Sequence, residues 1–219
     1  MKGLEKGASA LNCLKKLSFM RYLLIGIKLF ALAISLILII ASLGVFAEKN
    51  KEFYDKFKSL GDYCILFASI QNERILSNNS NCNFVIGGQT ISAALIIGSI
   101  VIVILGAIVN AKKIVFNIFL LIISSLALIM SLSAAIVISA GLKKTCNSIE
   151  EGSLGTIKCS KAEVHIPIIN FNVTFYDSIQ ASMILGWTGV VFLLVYITAE
   201  IISLISNCCF QKSKYNILG

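Results

Sequence analysis

Charge is scarce in this 219-residue chain: only 14% of its residues are Asp, Glu, Lys or Arg, whereas 57% are hydrophobic. A water-soluble domain of this size needs far more charge to cover its surface, so that class is set aside. Histidine is scarcer still, with His165 the only one and no partner for it at a useful spacing. Ser/His/Asp order, paired hydrolytic carboxylates and phosphate-binding glycine loops are all lacking, so neither enzymatic chemistry nor a cofactor is expected. The cysteine spacing suits no usual zinc finger, and a metal site is not expected either. The net charge of +8 raises the question of nucleic acid. The lysines crowd against the ends of apolar runs instead of forming an aromatic-interleaved groove, which points to anionic lipid and away from a nucleic-acid partner.

What the chain has in abundance is long uncharged apolar sequence, with a mean hydropathy of +0.88. Leu29–Ala47 holds 19 residues without a charge, Phe84–Ala111 holds 28, Ile114–Leu142 holds 29 and Ser178–Ala199 holds 22. About 20 helical residues cross a hydrocarbon core of about 30 Å, so each run is long enough to span. The expected architecture is an all-α membrane protein: a four-helix transmembrane bundle with helices over about 22–47, 84–111, 114–142 and 178–206. Residues 1–21 form a basic tail, 22–206 the four-span membrane domain and 207–219 a second tail. The connecting segments are 48–83, the Lys112-Lys113 pair and 143–177.

Four crossings place the two long segments on one side and both termini on the other. Each side carries nine basic residues, but the terminal side is much shorter and its basic density is nearly twofold higher, which favours cytoplasmic termini. The long segments hold Cys64 and Cys82, then Cys146 and Cys159. They also hold the Asn78-Asn79-Ser80 and Asn172-Val173-Thr174 glycosylation patterns. An even cysteine count and one sequon on each segment agree with an oxidising, lumenal location. Asn78 is the more accessible acceptor, because Asn172 lies close to the fourth span. Val45-Phe46-Ala47 resembles a signal-peptidase site, but its apolar run is too long and a 21-residue basic tail precedes it, so the first span is expected to be retained.

Four cysteines allow three pairings. Bonds within each loop, 64–82 and 146–159, are preferred because each partner is present once its loop is translocated; cross-loop bonds would instead staple the two loops together. Either arrangement stabilises an extracytoplasmic cap. Glu48–Leu60 reads as helix, since Phe53, Phe57 and Leu60 recur at helical spacing. A short β-hairpin is expected around Gln71-Asn72-Glu73-Arg74 in the first loop. Small residues permit close helix packing in lipid. Ala127, Ser131, Ala135 and Ser139 form a continuous row on the third span; Gly26, Ala33 and Gly44 on the first, Gly98 and Gly106 on the second, and Gly186 and Gly189 on the fourth are expected to contribute too.

Lys28 and Glu200 are charges inside apolar spans, where an unpaired charge is expensive. Each lies seven residues from its terminal-side boundary, about 10 Å at helical rise, so antiparallel first and fourth spans bring them to one depth. A structural ion pair or separate snorkelling is the expected role. Cys13, Cys208 and Cys209 lie near the membrane on the terminal side and are palmitoylation candidates. Tyr215 and Leu218 carry the spacing of an endocytic sorting motif.

Three local signatures resemble the transmembrane protein 179 family, its 179B branch more closely. They are Asp62-Tyr63-Cys64-Ile65-Leu66-Phe67, Cys82-Asn83-Phe84-Val85-Ile86-Gly87-Gly88, and Thr145-Cys146-Asn147-Ser148-Ile149 continuing to Thr156-Ile157-Lys158-Cys159-Ser160-Lys161-Ala162. The resemblance extends over Tyr22–Ile205, mostly as topology. It implies four spans, cytoplasmic ends and no established catalytic activity. The chain departs from that pattern in a longer charged stretch after the first span and in a short tail. A claudin-like tryptophan pattern before the first-loop cysteines is absent, as is the Cys-Cys-Gly of tetraspanins. The expected function is that of a non-catalytic organiser or accessory protein of the plasma membrane or of endosomal or secretory vesicles. Its expected partners are the lipid bilayer and other membrane proteins. The alternative is a small transporter or channel subunit.

Overall fold

In the computed structural model the backbone is described for residues 2–57, 64–71, 74–76, 79–108, 114–152, 159, 165–166, 169–170 and 175–218. Side chains are described for residues 22–55, 64–68, 79–108, 115–151, 159 and 176–205. Four helices dominate: α1 (Lys2–Phe57), α2 (Asn79–Ile108), α3 (Ile114–Gly152) and α4 (Phe175–Leu218). All four contain stretches long and apolar enough to cross a bilayer, at Tyr22–Asp55, Asn79–Ile108, Val115–Glu151 and Tyr176–Ile205. The chain is a multi-pass membrane protein folded as a four-helix bundle. α1 packs on α4 and α2, and α3 packs on α4 and α2, so the helices stand at the corners of a ring.

Three helices run well beyond their uncharged runs. α1 begins at Lys2 and continues through Glu48–Phe57, within the stretch whose Phe53 and Phe57 spacing reads as helix; α3 runs ten residues past Leu142, and α4 continues to Leu218. Hydropathy reports the length immersed in lipid, whereas Lys, Glu and Ala on either side are good helix formers that need no change of backbone at the water boundary. The 56 residues of α1 extend about 84 Å, far more than the hydrocarbon thickness.

Two short antiparallel ladders lie between the helices. β1 (Ser69–Gln71) pairs with β2 (Arg74–Leu76), and β3 (His165–Ile166) pairs with β4 (Ile169–Asn170). Residues 72–73, where the expected hairpin would turn, lie outside the described residues, as does the Lys112-Lys113 connection.

With lipid outside, large apolar side chains face outward as well as inward: Phe30, Ile37, Ile108 and Val115 are all exposed. Association must then come from close packing and interhelical hydrogen bonds. The α1–α4 seam supplies both. Ser35 Oγ donates to the Gly189 carbonyl at 3.0 Å, and Ser42 Oγ donates to the Ser182 carbonyl at 2.8 Å. Ser182 Oγ returns the bond to the Ser42 carbonyl at 2.8 Å, while Gln89 Nε2 of α2 donates to Ser42 Oγ at 3.0 Å. Gly189 permits the approach: a Cβ there would meet Ile39 Cγ1 at 3.0 Å.

On α3, Ala127, Ser131 and Ala135 are buried. Half-buried Ser139 accepts from Trp187 Nε1 at 3.0 Å. Ser92 Oγ bridges α2 to the Ala127 carbonyl at 2.9 Å. Gly106, Gly186 and Gly189 meet neighbouring helices as expected, but four other small residues do not. Gly26, Gly44 and Gly98 have nothing within 4 Å of a would-be Cβ, and Ala33 is exposed. Small size permits close packing, but only the azimuth around the helix decides whether a neighbour is there. On α1 the inward azimuth belongs to Ser35 and Ser42.

Candidate functional site

Two arrangements stand out: a loop segment locked over one end of the bundle, and a buried charge cluster near the other. The first is built around the Thr145-Cys146 step of α3. Cys64 pairs with Cys82 and Cys146 with Cys159, with Cα–Cα distances of 5.8 and 5.2 Å. These bonds close loops of 18 and 13 residues, each stabilising by about 3 kcal/mol on the chain-entropy account. The first ties the loop to the opening turn of α2, and the second ties the next loop to the far end of α3. Cys64, Cys82 and Cys159 share one apolar cluster with Phe46, Leu66, Ile138 and Ile179.

Between the disulfides, Thr145 acts as a clasp. Its Oγ1 accepts from the Ala68 N–H at 3.1 Å, and its single proton faces the carbonyls of Ile65 at 3.1 Å and Gly141 at 3.0 Å. The Phe67 N–H reaches the Gly141 carbonyl at 3.4 Å. A Cβ on Gly141 would sit 2.8 Å from Leu66 Cβ, so only glycine lets the loop settle this close. To make the turn, Phe67 adopts φ 59°, a left-handed conformation that side chains other than glycine rarely take. Lys144 lies 5.8 Å above the Phe67 ring. From α1, Asn50 Oδ1 accepts from the Ile65 N–H at 3.4 Å, and from α3, Glu150 Oε1 accepts from the Cys159 N–H at 3.2 Å.

The second arrangement joins α1 to α4. Lys28 Nζ lies 3.0 Å from Glu200 Oε1, and Tyr196, one helical turn before Glu200, donates its hydroxyl to the same oxygen at 3.1 Å. Lys28 is 7% exposed, Glu200 2% and Tyr196 0%, so the charges are held within the bundle and do not project to its surface.

The family described as Transmembrane protein 179/179B Claudin domain matches residues 23–216, which include α2 and α3 whole, most of α1 and α4, both disulfides and the ion pair. The chain belongs to this family. No curated protein and no solved structure matches it. The 179/179B description covers both branches together and carries the word claudin. That corrects the separation from claudin-like proteins drawn from the missing tryptophan pattern: this chain matches a claudin-domain description without that pattern.

In this 179/179B member the remaining candidates are less well placed. Asn78 and Asn172 lie outside the described residues. Cys13 falls within α1, and Cys208, Cys209, Tyr215 and Leu218 fall within α4, with their side chains outside the description. Trp187 is 39% exposed and anchors to Ser139. Among the described residues, no group of three or more His, Cys, Asp or Glu side chains gathers as a metal site. The sequence reading missed Gly141, Thr145 as a clasp, and the Ser42–Gln89–Ser182 bridge. A signal for the last was present in the seven-residue spacing of Ser35 and Ser42 on α1, matched by Ser182 and Gly189 on α4.

Proposed function

We propose that this chain is a non-catalytic organiser or accessory protein of the plasma membrane or of vesicles, meeting other membrane proteins through its cap and its lipid-facing helix surfaces. The observation that carries this reading is an interior filled at successive levels. Leu32, Ile39 and Phe46 along α1, Ile96 on α2, Ile138 on α3 and Leu193 on α4 are all fully buried. Leu66 and Thr145 hold the cap against one end. Such a body offers surfaces in preference to a pathway.

On this reading both termini are cytoplasmic and the cap faces the lumen or exterior, as the denser basic residues on the terminal side favour. The same side assignment gives Asn78, and less readily Asn172, an N-glycan. It gives Cys208, Cys209 and Cys13 reversible thioester-linked acyl chains, and offers Tyr215 and Leu218 to sorting adaptors. The three loop signatures support the 179B branch. Proximity labelling in native cells, paired with non-denaturing purification, tests the function. Recovery of the same membrane proteins by both routes supports it, whereas a chain that purifies alone without specific neighbours refutes it.

The buried Lys28, Glu200 and Gln89 favour a second reading, a small transporter or channel subunit. Solute flux into reconstituted vesicles that is abolished by Glu200→Gln, with folding retained, would replace the first reading with the second.

A further inference from the structure

The two carboxylate oxygens of Glu200 have opposite surroundings. Oε1 receives both donors, Lys28 Nζ at 3.0 Å and Tyr196 OH at 3.1 Å. Oε2 is buried and meets no donor among the described residues. An anionic oxygen held away from bulk water calls for a donor. The side chain beside it has donors to spare, because an ammonium carries three N–H groups and Lys28 directs one to Oε1.

The occupant of such a site must satisfy two demands. It must accept a hydrogen bond from an ammonium and donate one to a carboxylate oxygen. A second cation is repelled by Lys28 and an anion by Glu200, while a neutral donor–acceptor small enough to lie between them suits both. We infer that one water molecule bridges Lys28 and Glu200, accepting an N–H from Lys28 Nζ and donating an O–H to Glu200 Oε2. The bridge closes a ring with the direct Nζ–Oε1 contact, so that α1 and α4 are joined by a hydrated charge pair inside the membrane. Buried waters of this kind bond to polar groups that would otherwise go unsatisfied. The water is a fixed part of the bundle and not one member of a file. Ser99 and Ser124, buried serines toward the terminal side of α2 and α3, turn their protons back onto their own helices, at Leu95 O and Leu120 O, both at 2.9 Å.

Radiolytic hydroxyl labelling of the full chain in lipid nanodiscs tests the bridge, because radicals form only where water is. Tyr196, fully buried and bonded to the same carboxylate, is expected to be oxidised. Phe119, which is lipid-facing, is expected to stay unlabelled. After rapid mixing into 18O water, the heavy isotope is expected to enter the Tyr196 product more slowly than the product at half-buried Tyr176 near the cap. Tyr196 labelling no stronger than that of Phe119 overturns the inference, and this wild-type result stands whether or not any variant folds. In the Lys28→Met, Glu200→Met double variant the Tyr196 label is expected to vanish while both disulfides and the Tyr176 label persist. If the Tyr196 label survives in a folded double variant, the pair does not hold the water and the inference fails.

Discussion

Replacing Lys28 with Met tests the energetic role of the charge pair directly. The substitution preserves an unbranched chain but leaves the Glu200 carboxylate, 2% exposed, without its counter-ion. Breaking a buried pair by deleting one partner costs about 3–5 kcal/mol. Tyr196 still donates to Oε1, which keeps the expected loss nearer 3 than 5 kcal/mol, a roughly hundredfold shift in the folding equilibrium constant. Glu200→Gln is expected to be milder, because a freed Lys28 is long enough to snorkel toward the terminal-side interface whereas a freed Glu200 is not. Lys28→Met with Glu200→Met removes both charges and should recover most of the loss, since replacing a whole buried pair with apolar side chains is often neutral or better. The exchanged pair, Lys28→Glu with Glu200→Lys, should lie between the single variants and the parent. Thermal unfolding in detergent, followed by the fraction surviving size-exclusion chromatography, gives all four values. Single variants within about 1 kcal/mol of the parent, or a Lys28→Met, Glu200→Met double variant no more stable than Lys28→Met alone, would refute the assignment.

Three further outcomes follow from the packing. Thr145→Val strands the Ala68 N–H in a buried position and should cost about 1–3 kcal/mol, read as faster access of reductant and maleimide to the Cys64–Cys82 bond in intact membranes. Gly189→Leu drives a side chain into Ile39, 3.0 Å from its first atom, and should lower stability by about 1–3 kcal/mol, with a lower melting temperature as the check. Gln89→Met should go the other way. Gln89 Oε1 is buried and meets no donor among the described residues, and Ser42 merely loses an incoming bond, so the variant is expected to be neutral or about 1 kcal/mol more stable in the same melts.

The parts of this molecule that could be read in advance are those that depend on distance along the chain. Four uncharged runs gave four spans because bilayer thickness sets their length. Lys28 and Glu200 could be matched because residues at equal distance from one face share a depth in antiparallel helices. The cysteine pairing was narrowed, though not decided, by loop order. What escaped was whatever depends on direction around a helix or on contacts between remote segments. Gly26, Gly44 and Gly98 have the same composition signal as Gly186 and Gly189, yet only the latter two meet a neighbouring helix. The Thr145 clasp joins residues 77 and 80 positions apart, and no local pattern around Thr145 announces Ile65 or Ala68. Helix beyond the lipid was legible only after the first span, where Phe53 and Phe57 keep a helical spacing; hydropathy falls silent over the first twenty residues of α1 and the last turns of α4.

The continuity of α1 has a mechanical consequence. One rod carries Lys28 at the ion pair and Ser42 at the serine bridge, then reaches Asn50 against the Ile65 segment, with no interruption of helix from Lys2 to Phe57. A tilt imposed on its first residues by a binding event therefore travels as leverage, not as a relay of separate rearrangements. The cap and the opposite membrane face answer to the same lever.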